Sequence, residues 1–94
     1  MNKPGFAEFE SSARAAGFDE VLERRWAPDT VIATHTHGFD VDARLTQGEM
    51  WLTCEGRTRH LQAGDTFTLA RDVPHDERYG PQGATYWVAR RNPR

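Results

Sequence analysis

From Asp19 onward the chain alternates apolar and polar residues with period two, and turn residues interrupt that alternation at near-regular intervals. Successive side chains of a strand point to opposite faces, so the pattern predicts half-buried strands. EVLERRW (20–26), TVIATHTH (30–37), DVDARLTQGE (40–49), TFTLA (66–70), HDERYG (75–80) and ATYWVARR (84–91) read as strands. EMWLTCEGRTRHLQ (49–62) reads as a hairpin turning at Glu55-Gly56. Ala-Pro-Asp (27–29), Gln47-Gly48-Glu49, Ala63-Gly64-Asp65 and Pro81-Gln82-Gly83 read as the turns between them. About eight short strands so spaced predict an all-β sandwich or barrel.

Residues 4–16 carry a different period. Phe6, Phe9 and Ala13 recur at helical spacing and Gly17 supplies a stop, so a short helix is expected to pack its phenylalanines on the strands. The expected organisation is a helical segment over 1–17 and a single barrel domain over 18–94.

The barrel pattern places particular residues together. Val31, Ala33, His35 and His37 fall on one strand face, so the two histidines continue an apolar face. Val41, Ala43 and Leu45 face one way, with Asp42 and Arg44 opposite. Met50, Leu52 and Cys54 share one face, and Trp51 and Thr53 the other. Two histidines one residue apart on a strand reach the same side and can share a metal ion. His75, after Pro74 at the start of another strand, is a candidate third ligand. His60 sits among arginines and reads as a surface residue.

At these residues the chain resembles the cupin superfamily, small barrels of the double-stranded β-helix or jelly-roll type. The first cupin motif contains a glycine, an H-x-H pair, a glutamate and a closing glycine. His35, His37 and Gly48 match it; Asp29 stands at the leading glycine and Val41 at the glutamate. In the second motif Gly64 and His75 match, while Ala70, Asp72 and Tyr79 replace the proline, glycine and asparagine. The resemblance implies a jelly-roll barrel with a short N-terminal helix and a metal site of His35, His37 and His75. Asp40, in the turn after the pair, is the preferred substitute for the missing glutamate, ahead of Asp42. It would act as a ligand or as an acceptor that holds a histidine in place.

Three imidazoles suit one divalent transition metal, whether iron, zinc, nickel, copper or manganese. The resemblance then implies a metal-binding cupin that takes a small molecule in its barrel, with dioxygenase-like or isomerase-like activity at a three-histidine centre. The other reading is a non-catalytic ligand-binding or sensor module with a vestigial metal site. Tyr79 is the one proton donor named near the site, and an arginine at the mouth could clamp a carboxylate. No residue stands out as a general base, and Cys54 reads as a small buried apolar residue and not as a catalytic thiol.

Composition narrows the setting. The 94 residues are 37% hydrophobic and 28% charged, as in a soluble globular domain. A net charge of −2, without any long basic block, gives no footprint for nucleic acid. No apolar run reaches the length of a membrane span, and MNKPGFAEFESS lacks the apolar core of a leader, so a cytoplasmic location is expected. The single cysteine rules out an internal disulfide. A domain this small has a modest core, so a homodimer is also expected.

Overall fold

A computed structural model of the protein describes residues 5–93. Pro4 at the expected helix start and Arg94 at the end of the tail lie outside the described residues. Helix α1 (Phe6–Ala15) is followed by six strands: β1 (Glu20–Trp26), β2 (Val31–His35), β3 (Asp40–Cys54), β4 (Arg57–Gln62), β5 (Thr66–Leu69) and β6 (His75–Arg91). Glu8 accepts the backbone N–H of Gly5 and so satisfies a donor at the start of α1. The phenylalanines of the helix pack as expected: the rings of Phe6 and Phe9 lie 5.8 and 5.7 Å from that of Trp87 on β6.

All strand pairings are antiparallel. Strand β6 runs through the centre, pairing with β3 along one side. On its other side β2 pairs with its first part and β1 with its last. Strand β3 likewise pairs with β5 over Val41–Arg44 and with β4 over Glu49–Cys54. The result is two four-stranded halves, β1-β6-β3-β5 and β2-β6-β3-β4, joined through the two long strands. Their inner faces share one apolar cluster that includes Ala43, Leu45, Met50, Leu52, Tyr79 and Val88. This is the expected double-stranded β-helix.

The strand count differs from the sequence expectation for an identifiable reason. Gln47-Gly48-Glu49 and Pro81-Gln82-Gly83 do not break the chain into separate strands; they bend β3 and β6 from one half of the barrel into the other. The β3–β6 register slips between Leu45 and Gln47 and again between Gly48 and Met50, so each slip adds local twist. Gly48 and Gly83 have φ of 76° and 73° and face one another across the bend. Only glycine adopts such angles without cost and leaves room for so close a crossing. By contrast, Glu55 (φ 53°) and Gly56 (φ 77°) form a true two-residue hairpin turn between β3 and β4.

The inner and outer faces of β3 fall as the alternation predicts. Val41, Ala43 and Leu45 are buried, and Met50 and Leu52 line the core on the face they share with Cys54. Trp51 is on the outer face, stacked on His60 at 4.6 Å, with the Arg78 guanidinium 4.1 Å from its centroid.

Candidate metal centre

Strand β2 brings His35 into the barrel through a bulge. Ile32 pairs with Glu77 and His35 with His75, so three steps on β2 match two on β6. Residues directly opposite in an antiparallel pair project to the same face. Ile32, His35, His75 and Glu77 therefore share the inner side. The expected phase, with Val31 and Ala33 on the histidine face, is corrected by this bulge. Val31 is 68% exposed, and it is Ile32 that packs against the core. Strict alternation from Val31 would have predicted the inward side of His35 for the wrong reason.

His37 follows in the turn between β2 and β3, its ring stacked on Phe39 at 4.5 Å with an interplanar angle of 3°. The ring centroids of His35 and His75 are 4.3 Å apart, those of His37 and His75 4.7 Å, and those of His35 and His37 5.3 Å. One ring nitrogen from each of the three lies within 4.8 Å of the others.

Two of the rings are oriented by their own backbone. His35 Nδ1 is 2.9 Å from the carbonyl oxygen of Ala33, and His75 Nδ1 is 3.0 Å from that of Val73. A carbonyl only accepts, so each Nδ1 is the donor and each Nε2 is the ring nitrogen left for a ligand. His75 Nε2 is buried and has no hydrogen-bond partner among the described residues. A buried acceptor without a donor is costly in a folded chain. An Nδ1–H on a carbonyl with a free Nε2 is also how metal-binding histidines are commonly held. The donor set therefore fits a divalent transition ion. Burial first, then the neighbouring His75, His35 and Arg90, hold the pKa of His37 below its ordinary value, which favours the neutral, ligating imidazole.

The structure adds a carboxylate that the sequence reading passed over. Glu77 is 7% exposed, and its Oε2 lies 3.8 Å from His35 Nε2 and 3.9 Å from His75 Nε2. Its Oε1 accepts the Tyr79 hydroxyl. Two donors with bonds of about 2.1 Å can stand at most about 4.2 Å apart across a shared ion, and Glu77 falls within that reach of two histidines. The signal was present in sequence: His75, Glu77 and Tyr79 alternate on one strand, so a buried His75 implies a buried Glu77.

Asp40 is placed differently from the expectation. Its Oδ1 accepts the Arg71 N–H at 2.9 Å and its Oδ2 lies 3.5 Å from Arg91 Nε. The Arg71 hydrogen bond above all holds its carboxyl below the usual range. It ties the start of β3 to the loop before β6 and is not part of the histidine cluster. Asp42 faces outward, half-buried, between Thr68 and Ala89, and burial raises its pKa.

Tyr79 is buried, with its ring stacked on Trp26 at 5.0 Å. Burial first, then the neighbouring Tyr86 and Glu77, pushes its phenol far above the ordinary value of 10.0, and burial and Glu77 raise Tyr86 as well. Tyr79 thus holds Glu77 in place and is a poor source of protons. These are the only two tyrosines in the chain. As pH rises past 10.0 the unfolded chain loses phenolic protons that the folded chain keeps, so stability falls with pH in that range. A spectrophotometric titration should show no tyrosinate absorbance until the protein unfolds. A tyrosine ionising near its ordinary value in folded protein would contradict the buried placement.

His37 and His75 open on a cavity of about 40 Å³ inside the barrel, lined also by Val41, Glu77, Tyr86 and Arg90. That is room for a few waters or one small ligand group. A wider depression of about 450 Å³ lies against Gly48, Gln62 and Pro81 and contains none of the histidines.

The model of the AraC-like ligand-binding domain matches residues 17–92. The chain belongs to that family. No match is found among curated proteins. Solved structures agree with this AraC-like domain on the fold. A protein of unknown function from Rhizobium leguminosarum bv. viciae 3841 superposes with a TM-score of 0.73 at 18% identity, over 99% of this chain and 98% of its own. A RmlC-like cupin from Shewanella frigidimarina NCIMB 400 gives 0.72 at 19% identity, over 83% of this chain and 69% of its own. A HTH_3 family transcriptional regulator from Vibrio cholerae gives 0.69 at 20% identity, over 85% of this chain and 46% of its own. Among the described residues no helix is long and apolar enough to cross a membrane.

Proposed function

We propose that this AraC-like domain holds one divalent transition ion on His35, His37 and His75, with Glu77 as the accompanying carboxylate, and binds a small molecule in the cavity beside it. The observation that carries this reading is the orphaned, buried Nε2 of His75, fixed by its Nδ1 bond and facing two further histidines and a carboxylate. A carboxylate as buried as Glu77 needs a cation or strong donors around it. Among the described residues its one hydrogen bond is from Tyr79, which leaves Oε2 for the ion. Imidazole and carboxylate together accept iron, manganese, nickel, copper or zinc. When bound, such an ion acts as a Lewis acid toward an oxygen-bearing ligand. The protein's own part is to orient the ligand atoms through Ala33 and Val73 and to keep Tyr79 protonated against Glu77.

Dioxygenase-like or isomerase-like turnover at this centre is the catalytic form of the reading. The second form is a ligand-binding module without turnover. It is favoured by the family's description as a ligand-binding domain and by the same barrel within the Vibrio cholerae regulator. Elemental analysis of untagged protein, before and after incubation with each of the five metals, tests the shared claim. About one ion per chain is expected; none under any condition would overturn it. Product formation with the ion bound then separates the two forms.

Tyr79→Phe should keep the fold and weaken ion affinity by about 10–100-fold, as loss of a supporting hydrogen bond does at metal sites. It should also cost about 1–3 kcal/mol, because the buried Glu77 Oε1 loses its only donor. Ion titration and urea unfolding read the two effects separately. Unchanged affinity would remove Glu77 from the ligand set.

A further inference from the structure

Arg90 occupies an unusual position for an arginine. It follows Ala84, Tyr86 and Val88 on the inward-facing side of β6 and lines the same small cavity as His37, His75 and Glu77. Its Nε is shielded from solvent and meets no acceptor among the described residues. Its guanidinium carbon lies 4.9 Å from the Phe39 centroid, and Phe39 is in turn stacked on His37.

Glu77 shares the cavity, but among the described residues it makes no ion pair with Arg90. Among the described residues no carboxylate forms an ion pair with Arg90; the ion pairs are made by Arg14, Arg25, Arg91 and histidines. Its register partner on β3 is the uncharged Val41, and its partner on β1, Glu20, is exposed. A buried guanidinium donor without an acceptor costs free energy, and a carboxylate is the partner whose geometry matches it best. Apart from the polar residues named, the cavity walls are apolar: Phe39, Val41, Phe67, Leu69 and Val88. That lining suits a carboxylate with a short hydrocarbon tail and is poor for a fully hydrated inorganic anion.

We propose that Arg90 is the anion anchor of the cavity and that the small molecule bound there is a short-chain monocarboxylate. This rests on the ligand-binding reading above and assigns its chemical class. Arg90 Nε–H donates to one carboxylate oxygen, Phe39 keeps the guanidinium in place, and the apolar wall covers the tail.

The test is calorimetric titration of the full chain with propionate, with its neutral isostere propionamide, and with inorganic phosphate. Each is run on protein loaded with the ion it retains best and on chelator-treated protein. Propionate should saturate at or below about 10 mM, with propionamide at least about tenfold weaker. Arg90→Gln should lower propionate affinity by about tenfold or more while its ion content stays that of the wild type, and Arg90→Lys should recover part of the loss. Equal binding of propionate and propionamide would overturn the proposal without any variant, should Arg90→Gln fold poorly. Propionate binding unchanged in Arg90→Gln would overturn it too, as would no saturation by propionate or an Arg90-dependent preference for phosphate. Its failure is separable from that of the metal reading: chelator-treated protein that binds propionate through Arg90 supports the anchor even where no ion is ever retained.

Discussion

His75→Ala is expected to abolish ion binding at the proposed centre and, with it, any thermal stabilisation by added ion. His75 is the middle ring of the cluster, its centroid 4.3 Å from that of His35 and 4.7 Å from that of His37, and it is 2% exposed. Without it the remaining groups are two half-exposed histidines and Glu77. An ion present at about a thousand times its dissociation constant stabilises the folded state by about 4 kcal/mol. In a domain of this size that raises the melting temperature by on the order of 20 °C. The variant should melt at the same temperature with and without the ion, while the wild type shifts. Truncating a buried ring also costs stability outright, so the response to the ion, and not the absolute melting point, is the informative quantity. A full shift in the variant would remove His75 from the site.

Gly48→Ala is expected to cost considerably more stability than the same substitution at the turn residue Gly56. A methyl group there would stand 2.1 Å from the Gly83 carbonyl oxygen and 2.9 Å from Ala84 Cα. Both are backbone atoms held in the β3–β6 pairing, so neither can swing aside. The φ of 76° adds the cost of a left-handed conformation, about 1–2 kcal/mol. Together these should cost about 4 kcal/mol or more, a large part of the roughly 5–10 kcal/mol that holds a domain of this length together. Gly56→Ala is the matched comparison. It has nearly the same φ, 77°, but nothing within 4 Å of its added methyl, so only the backbone cost of about 1–2 kcal/mol applies. Urea unfolding of the two variants isolates the steric part. Equal losses would mean that the bend relaxes and that the close crossing of β3 and β6 is not what requires glycine at 48.

Gly48 also shows how local turn chemistry can mislead. Gln47-Gly48-Glu49 and Pro81-Gln82-Gly83 carry residues that end strands elsewhere, and Glu55-Gly56 does end one. What distinguishes the first two is that they lie side by side on the paired strands β3 and β6, where both must turn together from one half of the barrel into the other. No window of a few residues contains that information. Glu77 is the opposite case. Its placement follows from alternation along the strand that His75 begins, two residues on. The cupin motif places its glutamate beside the H-x-H pair, at Val41 here, whereas the carboxylate of this chain stands beside His75 instead.

The sequence by itself determined the class of fold, the helix and its aromatic packing, the hairpin at Glu55-Gly56, the inward face of β3 and the three histidines that converge. Most of these depend on side-chain period or turn conformation, which are local properties of a chain; the convergence of His75 with His35 and His37 rests on the cupin motif resemblance. Only the tertiary structure decided that Ile32 and not Val31 shares the face of His35, that Asp40 serves Arg71 and Arg91, and that Glu77 and Arg90 meet in one cavity. Each of these depends on a bulge or on register between strands distant in sequence. A slip of one residue there reverses which side chains face the core, and the packing of the whole barrel selects among the registers.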